Sequence, residues 1–322
     1  MPRPSRLASV PWDRTLRSAL VIALALPVAI LLFGRAGVPL AVAGAVCSVN
    51  GDHSGPVGER IARFGGVLLG GSGGLLLGCL APARGPGQVS CMAVAGLCAG
   101  LLGSARAADQ LAGLKLMVLT AIGMGLGGSA PAGDAVAQYA LGCLPMALLI
   151  GVAWLRAGRP AFRPRLPALP DRGRLGAALR LALCVGLAAV VAALLRPEHA
   201  FWLPLTAALA FRPADPSVVR RVADRVLGTV VGVLAAALLA PHLSGWALVV
   251  LALLIGALLP GATDLSYILH TALASVIVLV LAVPGPPSDG TVITARLTDT
   301  LIACAIALVV GQPFRGHRRT TA

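Results

Sequence analysis

Long apolar runs, broken by clusters of Gly, Pro and charge, fill the chain from Leu16 almost to its C-terminus. Since a helix crosses a bilayer with roughly 20 mainly apolar residues, the breaks predict helices over 16–33, 36–49, 64–82, 89–105, 108–128 and 134–155. A second set follows over 175–195, 199–212, 226–241, 244–260, 263–283 and 292–312. The runs lack the alternating ten-residue pattern of an outer-membrane barrel, so closed helices must satisfy the backbone in lipid. The reading is an all-α polytopic membrane protein of about twelve spans. The segments at 36–49 and 199–212 are the shortest and hold Pro39 and Pro204.

Composition agrees: across 322 residues the chain is 57% hydrophobic and 12% charged, with a mean hydropathy of +0.89. A soluble domain does not have this balance. The formal charge of +14 has a membrane explanation in the excess of Lys and Arg on the cytoplasmic side of short loops. With twelve spans and the N-terminus inside, 22 of the 26 Lys and Arg fall on the cytoplasmic side, leaving Arg35, Arg84, Arg196 and Arg296. Both termini are therefore expected in the cytoplasm, and no nucleic-acid partner is expected. In this frame the arginines of 212–225 form a cytoplasmic loop.

The seven cysteines sit inside apolar runs without CxxC spacing and read as small packing residues. The basic N-terminus and its apolar stretch resemble a signal peptide, but further spans follow at once, which predicts a retained first helix.

The sequence repeats at a period of about 160 residues. Val38-Pro39-Leu40 corresponds to Leu203-Pro204-Leu205, and Arg63 to Gly66 corresponds to Arg225 to Gly228. Gly66, Gly70, Gly74 and Gly78 form an every-fourth-residue ladder that Gly228, Gly232, Ala236 and Ala240 continue in the same register. Small residues at that spacing let helices pack closely in lipid. Six spans per half preserve orientation, so two parallel repeats are expected, with the site between them. They cover residues 1–155 and 175–322, joined by an Arg- and Pro-rich cytoplasmic linker over 156–174.

Trp202-Leu-Pro-Leu-Thr206, then Arg212-Pro213, then Arg221, Arg225, Gly228-Thr229 and Gly232 resemble the signature of the fusaric acid resistance protein-like family. That family comprises integral membrane bound transporter domains and is related to aromatic acid exporters. The match is close in the second half; in the first, only the Arg–Gly spacing and the glycine ladder survive. Larger relatives place a soluble cytoplasmic domain after the helical block, and none is expected here. The resemblance implies efflux of small, often aromatic, organic anions across the plasma (inner) membrane.

Two motif spellings carry no chemistry. Gly70 to Gly74 spells a nucleophile elbow and Gly123 to Gly128 a dinucleotide fingerprint, but both lie within predicted membrane helices without the strand that either motif requires. No enzyme activity, cofactor or metal is expected.

Ionisable groups inside spans cost energy and usually face a partner or water. Arg296 and Asp299 lie one turn apart on the last helix and can neutralise each other; their first-half equivalents are read as Val136 and Tyr139. His270 reads as mid-helix and as the counterpart of Lys115 when Asp109 is matched to Asp264, which makes the two a candidate proton-coupling pair. A histidine bonded to a neighbouring helix is the plainer alternative. Arg225, Arg212 and Asp215 carry the signature on the cytoplasmic side, to bridge helix ends or to meet an anion. Trp12, Trp154, Trp202 and Trp246 fall at predicted span ends, where indole rings favour the interface. The site candidates are thus Trp202, Thr206, Arg212, Asp215, Arg225, His270, Lys115, Arg296 and Asp299. Three functions remain open: a proton-driven exporter of small aromatic acids, a passive anion channel and a non-transporting scaffold. The glycine faces also leave self-association open.

Overall fold

A computed structural model describes residues 12–34, 37–53, 55–82, 85–103, 107–126, 131–158, 171–195, 201–212, 217–243, 245–282 and 290–311. Twelve α-helices run in order as α1 (Trp12–Phe33), α2 (Val38–Gly51), α3 (Val57–Leu80), α4 (Pro86–Leu102), α5 (Ala107–Gly125) and α6 (Ala132–Arg156), then α7 (Arg172–Leu195), α8 (Trp202–Ala210), α9 (Val218–Leu239), α10 (Gly245–Leu265), α11 (Tyr267–Ala282) and α12 (Gly290–Gly311). No strand occurs among the described residues.

Seven of these helices, α1, α3, α5, α6, α7, α9 and α12, are long and apolar enough to cross a membrane. Their outer faces carry leucine stripes at helical spacing, such as Leu175, Leu179, Leu183 and Leu187 on α7. A face of that kind is suited to acyl chains rather than water. The chain is a multi-pass membrane protein.

Four expectations change. First, α2 and α8 have only 14 and nine residues, about 21 and 14 Å at 1.5 Å per residue, against a hydrocarbon core of about 30 Å. Nearly every residue of α8 is buried, so it is an internal helix rather than a lipid-facing span. Second, α3 and α9 begin seven and eight residues before the apolar runs do, because arginine is a good helix former. Arg220, Arg221 and Arg225 therefore stand on α9 rather than in a loop. Third, α10 continues past Pro260 to Leu265, and α11 starts at Tyr267, which puts His270 in its first turn instead of its middle. Fourth, Trp202 is completely buried rather than interfacial. The linker residues 159–170 lie outside the described residues.

Helix pairings within α1–α6 recur within α7–α12: α3 with α5 and α9 with α11, α2 with α6 and α8 with α12, α1 with α2 and α7 with α8. The two groups meet through α4 with α7 and through α1 with α10. The glycine ladder makes two of the close seams, as Gly44 and Gly142 do between α2 and α6. A Cβ on Gly70, Gly74 or Gly78 would land on the carbonyl oxygen of Ala112, Leu116 or Thr120 of α5, and one on Gly228 or Gly232 on that of Ile268 or Ala272 of α11.

That seam fixes the correspondence between halves. Ala112 matches Ala272, so Lys115 matches Ser275 and His270 matches Gln110; Lys115 and His270 are not counterparts. The α6 positions Ala135, Tyr139, Gly142, Cys143 and Met146 are buried in the same rhythm as Arg296, Thr300, Ala303, Cys304 and Ala307 of α12. Shifted by one residue the rhythm also meets Ala295, Asp299, Ala303, Ile306 and Val310, all buried, so Arg296 and Asp299 stand against Ala135 and Gln138 in one register and against Val136 and Tyr139 in the other, and neither first-half set carries a charge.

Candidate functional site

The short helix α8 presents Trp202 and Thr206, one turn apart, to α12. Arg296 of α12 is 1% exposed. Its Cζ lies 5.3 Å from the Trp202 ring centroid, a cation–π arrangement, and its Nη1 lies 3.5 Å from Thr206 Oγ1. Asp299 follows one turn on, also buried, and the charges of Asp299 and of Arg225 both act on Arg296. Arg225, two turns into α9, is 3% exposed. Thr300 donates to the Arg296 carbonyl at 2.8 Å.

Thr229 stands one turn beyond Arg225, and Thr271 of α11 lies against Gly228; both are fully buried. Among the described residues, the Nε atoms of Arg225 and Arg296 and the hydroxyls of Thr229 and Thr271 are buried without a hydrogen-bond partner. Buried polar groups normally have one. The sequence reading missed Thr229, Thr271 and Thr300 as part of this cluster; threonines recurring at helical spacing with Arg225 and Arg296 were the available signal.

Among its described residues, the first half has no such pair of buried arginines. Tyr139 of α6 is buried, and its hydroxyl donates to the Val67 carbonyl at 3.0 Å over Gly71. Around it pack Leu40, Cys47, Val67, Leu75, Leu119 and Ala135. The basic residue matching Arg225 is Arg63, which leaves the core and pairs with Glu59 at 2.9 Å.

A cavity of about 320 Å³ opens where the two groups of helices meet, between the ends of α4, α5, α7 and α8. Its wall is largely aliphatic, including Leu114, Met117 and Leu181, with Phe211, Gln110 and Arg212 supplying the aromatic and polar parts. Arg212 directly follows the C-cap of α8, so one nine-residue helix connects the cavity to the buried cluster.

His270 and Lys115 come within electrostatic reach of each other, and Arg225 and Arg212 act on the same histidine. The His270 ring is hydrogen-bonded to the Leu259 backbone of α10 and stacks on Tyr267 with centroids 6.5 Å apart. The plainer reading of His270, bonded to a neighbouring helix, therefore describes its place, although a basic field surrounds it. Tyr267 was not anticipated: its hydroxyl donates to the Leu209 carbonyl at 3.1 Å, and Arg221 lies over its ring at 4.5 Å, so it ties α11 and α9 to the end of α8. Asp215 lies outside the described residues. Gly66, Gly70, Gly74, Gly78, Gly228 and Gly232 serve helix packing. No group of three or more His, Cys, Asp or Glu among the described residues is arranged to hold a metal ion.

No curated protein and no solved structure matches the chain. Residues 187–310 match the family model described as fusaric acid resistance protein-like. That segment runs from inside α7 to the end of α12 and holds Trp202, Thr206, Arg225, Arg296 and Asp299. Over this segment, in its second half, the chain is similar to the fusaric acid resistance protein-like family.

Proposed function

We propose that the protein is a secondary transporter of the plasma (inner) membrane that exports small, often aromatic, organic acids in exchange for protons. The observation that carries this reading is the cavity of about 320 Å³ with aliphatic walls and Arg212 on its lining. Small-molecule sites start at about 300 Å³ and combine apolar walls with a few polar groups. A hydrophobic body against Leu114 and Leu181 and a carboxylate toward Arg212 would use both.

The family and the basic field of Arg212, Arg225 and Lys115 support the same direction, because focused positive potential gathers anions. Both termini are placed in the cytoplasm on the Lys and Arg distribution, which puts this cavity at the cytoplasmic, loading end. The duplicated pairing pattern supports two parallel six-helix repeats with cargo handled at their junction. His270 and Asp299 are the groups assigned to proton handling.

The test is transport by the full chain in proteoliposomes against a panel of aromatic carboxylates, with and without an imposed pH gradient. Gradient-dependent movement at carrier rates is expected. Gradient-indifferent flux with measurable conductance would make the protein an anion channel, and no flux of any acid would leave it a scaffold.

A further inference from the structure

We propose that Arg225 and Arg296 form an occluded anion site, built only in the second half of the chain, that holds one carboxylate per chain. This deepens the transport reading and rests on it for the identity of the bound anion as cargo; the site itself is a binding claim that can be measured without transport.

Two guanidinium groups belonging to different helices are buried to 3% and 1% exposure, each with an Nε–H that meets no acceptor. A buried charge is tolerated when it is paired and its donors are satisfied. Asp299 balances one positive charge of the two, which leaves the complement of a single negative charge. The surrounding donors suit a carboxylate: guanidinium presents a planar fork to two oxygens, and the Thr229 and Thr271 hydroxyls add two unused O–H groups nearby. The cation–π contact to Trp202 holds Arg296 against α8 without using its Nε–H.

The first half acts as an internal control. A similar framework, with a similar glycine seam, packs there with the uncharged residues Ala135, Val136, Gln138 and Tyr139 at the α6 positions that answer to Arg296 and Asp299 of α12. The fold therefore does not need these charges. Tyr139 donates to the Val67 carbonyl there. The paired buried guanidinium groups are thus a feature of the second half, which gives this site a stoichiometry of one per chain.

The experiment uses the full chain in detergent, with benzoate as the probe, benzamide as its neutral analogue, and formate and acetate for size. Titration calorimetry on the wild type is expected to resolve one such benzoate site per chain, beside any binding in the Arg212 cavity, that benzamide does not fill. Arg296→Gln is expected to weaken benzoate by at least about tenfold, the loss typical of a charge-assisted bond. Because removing Arg296 and Asp299 alone would leave Arg225 buried without a counter-charge, the variant Arg225→Gln/Arg296→Ala/Asp299→Gln, which removes the three charges together, provides the second arm; it is expected to fold and to lose this benzoate site. Unchanged binding in either variant, or no binding of any of the three anions, overturns the proposal. Failure of the triple variant to fold assigns the charges to packing and overturns it too. Benzoate flux that persists in the folded triple variant sinks this site and leaves the transporter, whereas tight binding without flux does the reverse.

Discussion

Replacing Gly70 and Gly74 together by Ala should open the seam between α3 and α5, while replacing Gly65 and Gly73 should not. A Cβ on Gly70 or Gly74 falls on the carbonyl oxygen of Ala112 or Leu116, and at Gly74 it also lies 3.0 Å from Thr120 N. These are backbone atoms of a helix and cannot swing away, so α3 and α5 would have to separate by on the order of 1 Å to regain ordinary contact. Overpacking of this kind costs about 1–3 kcal/mol per site, hence about 2–6 kcal/mol for the pair. On the same helix, Gly65 has nothing within 4 Å and Gly73 meets only the end of Leu116 at 3.7 Å. Both double variants gain the same helix propensity, up to about 1 kcal/mol per glycine, so their difference isolates the packing cost. Reversible unfolding in mixed micelles, titrated with SDS and followed by circular dichroism, measures it. Equal midpoints for the two double variants would refute the carbonyl-contact account of the ladder.

Arg225→Ala should abolish transport or assembly, and Arg225→Lys should restore it only in part because an ammonium lacks the planar fork; full folding and flux in Arg225→Ala would remove it from the site. Arg296→Ala alone should destabilise the chain by about 3–5 kcal/mol by stranding Asp299, and Arg296→Ala/Asp299→Gln should recover much of that, as read by the same SDS titration. Asp52, at the end of α2, binds Arg60 of α3 at 2.8 Å and Arg17 of α1 at 3.2 Å. Its side chain is 1% exposed, so Asp52→Asn should cost about 1.5–3 kcal/mol and loosen α1 first in hydrogen exchange. Equal protection of α1 in both forms would show that the clamp is dispensable.

The apolar runs determined which segments become helices, because lipid leaves the backbone no other partner than itself; each of the twelve predicted segments overlaps a helix of the structure. The Gly66 and Gly228 ladders and the Trp202-to-Gly232 signature were legible for the same reason: they are periodic along one chain. The chain could not by itself fix which helix the ladder meets. The α5 and α11 carbonyls set that partner, and through it the register in which His270 and Lys115 are not counterparts. Helix starts were misplaced at Arg60 and Arg225 because hydropathy marks lipid-facing length, whereas a helix continues wherever hydrogen bonds and charge pairs carry it. Burial of Trp202, Thr229 and Thr271, and the convergence of Arg225 on Arg296, depend on four helices meeting around the short α8. Only the tertiary structure decides which polar side chains such a meeting point removes from lipid and water together.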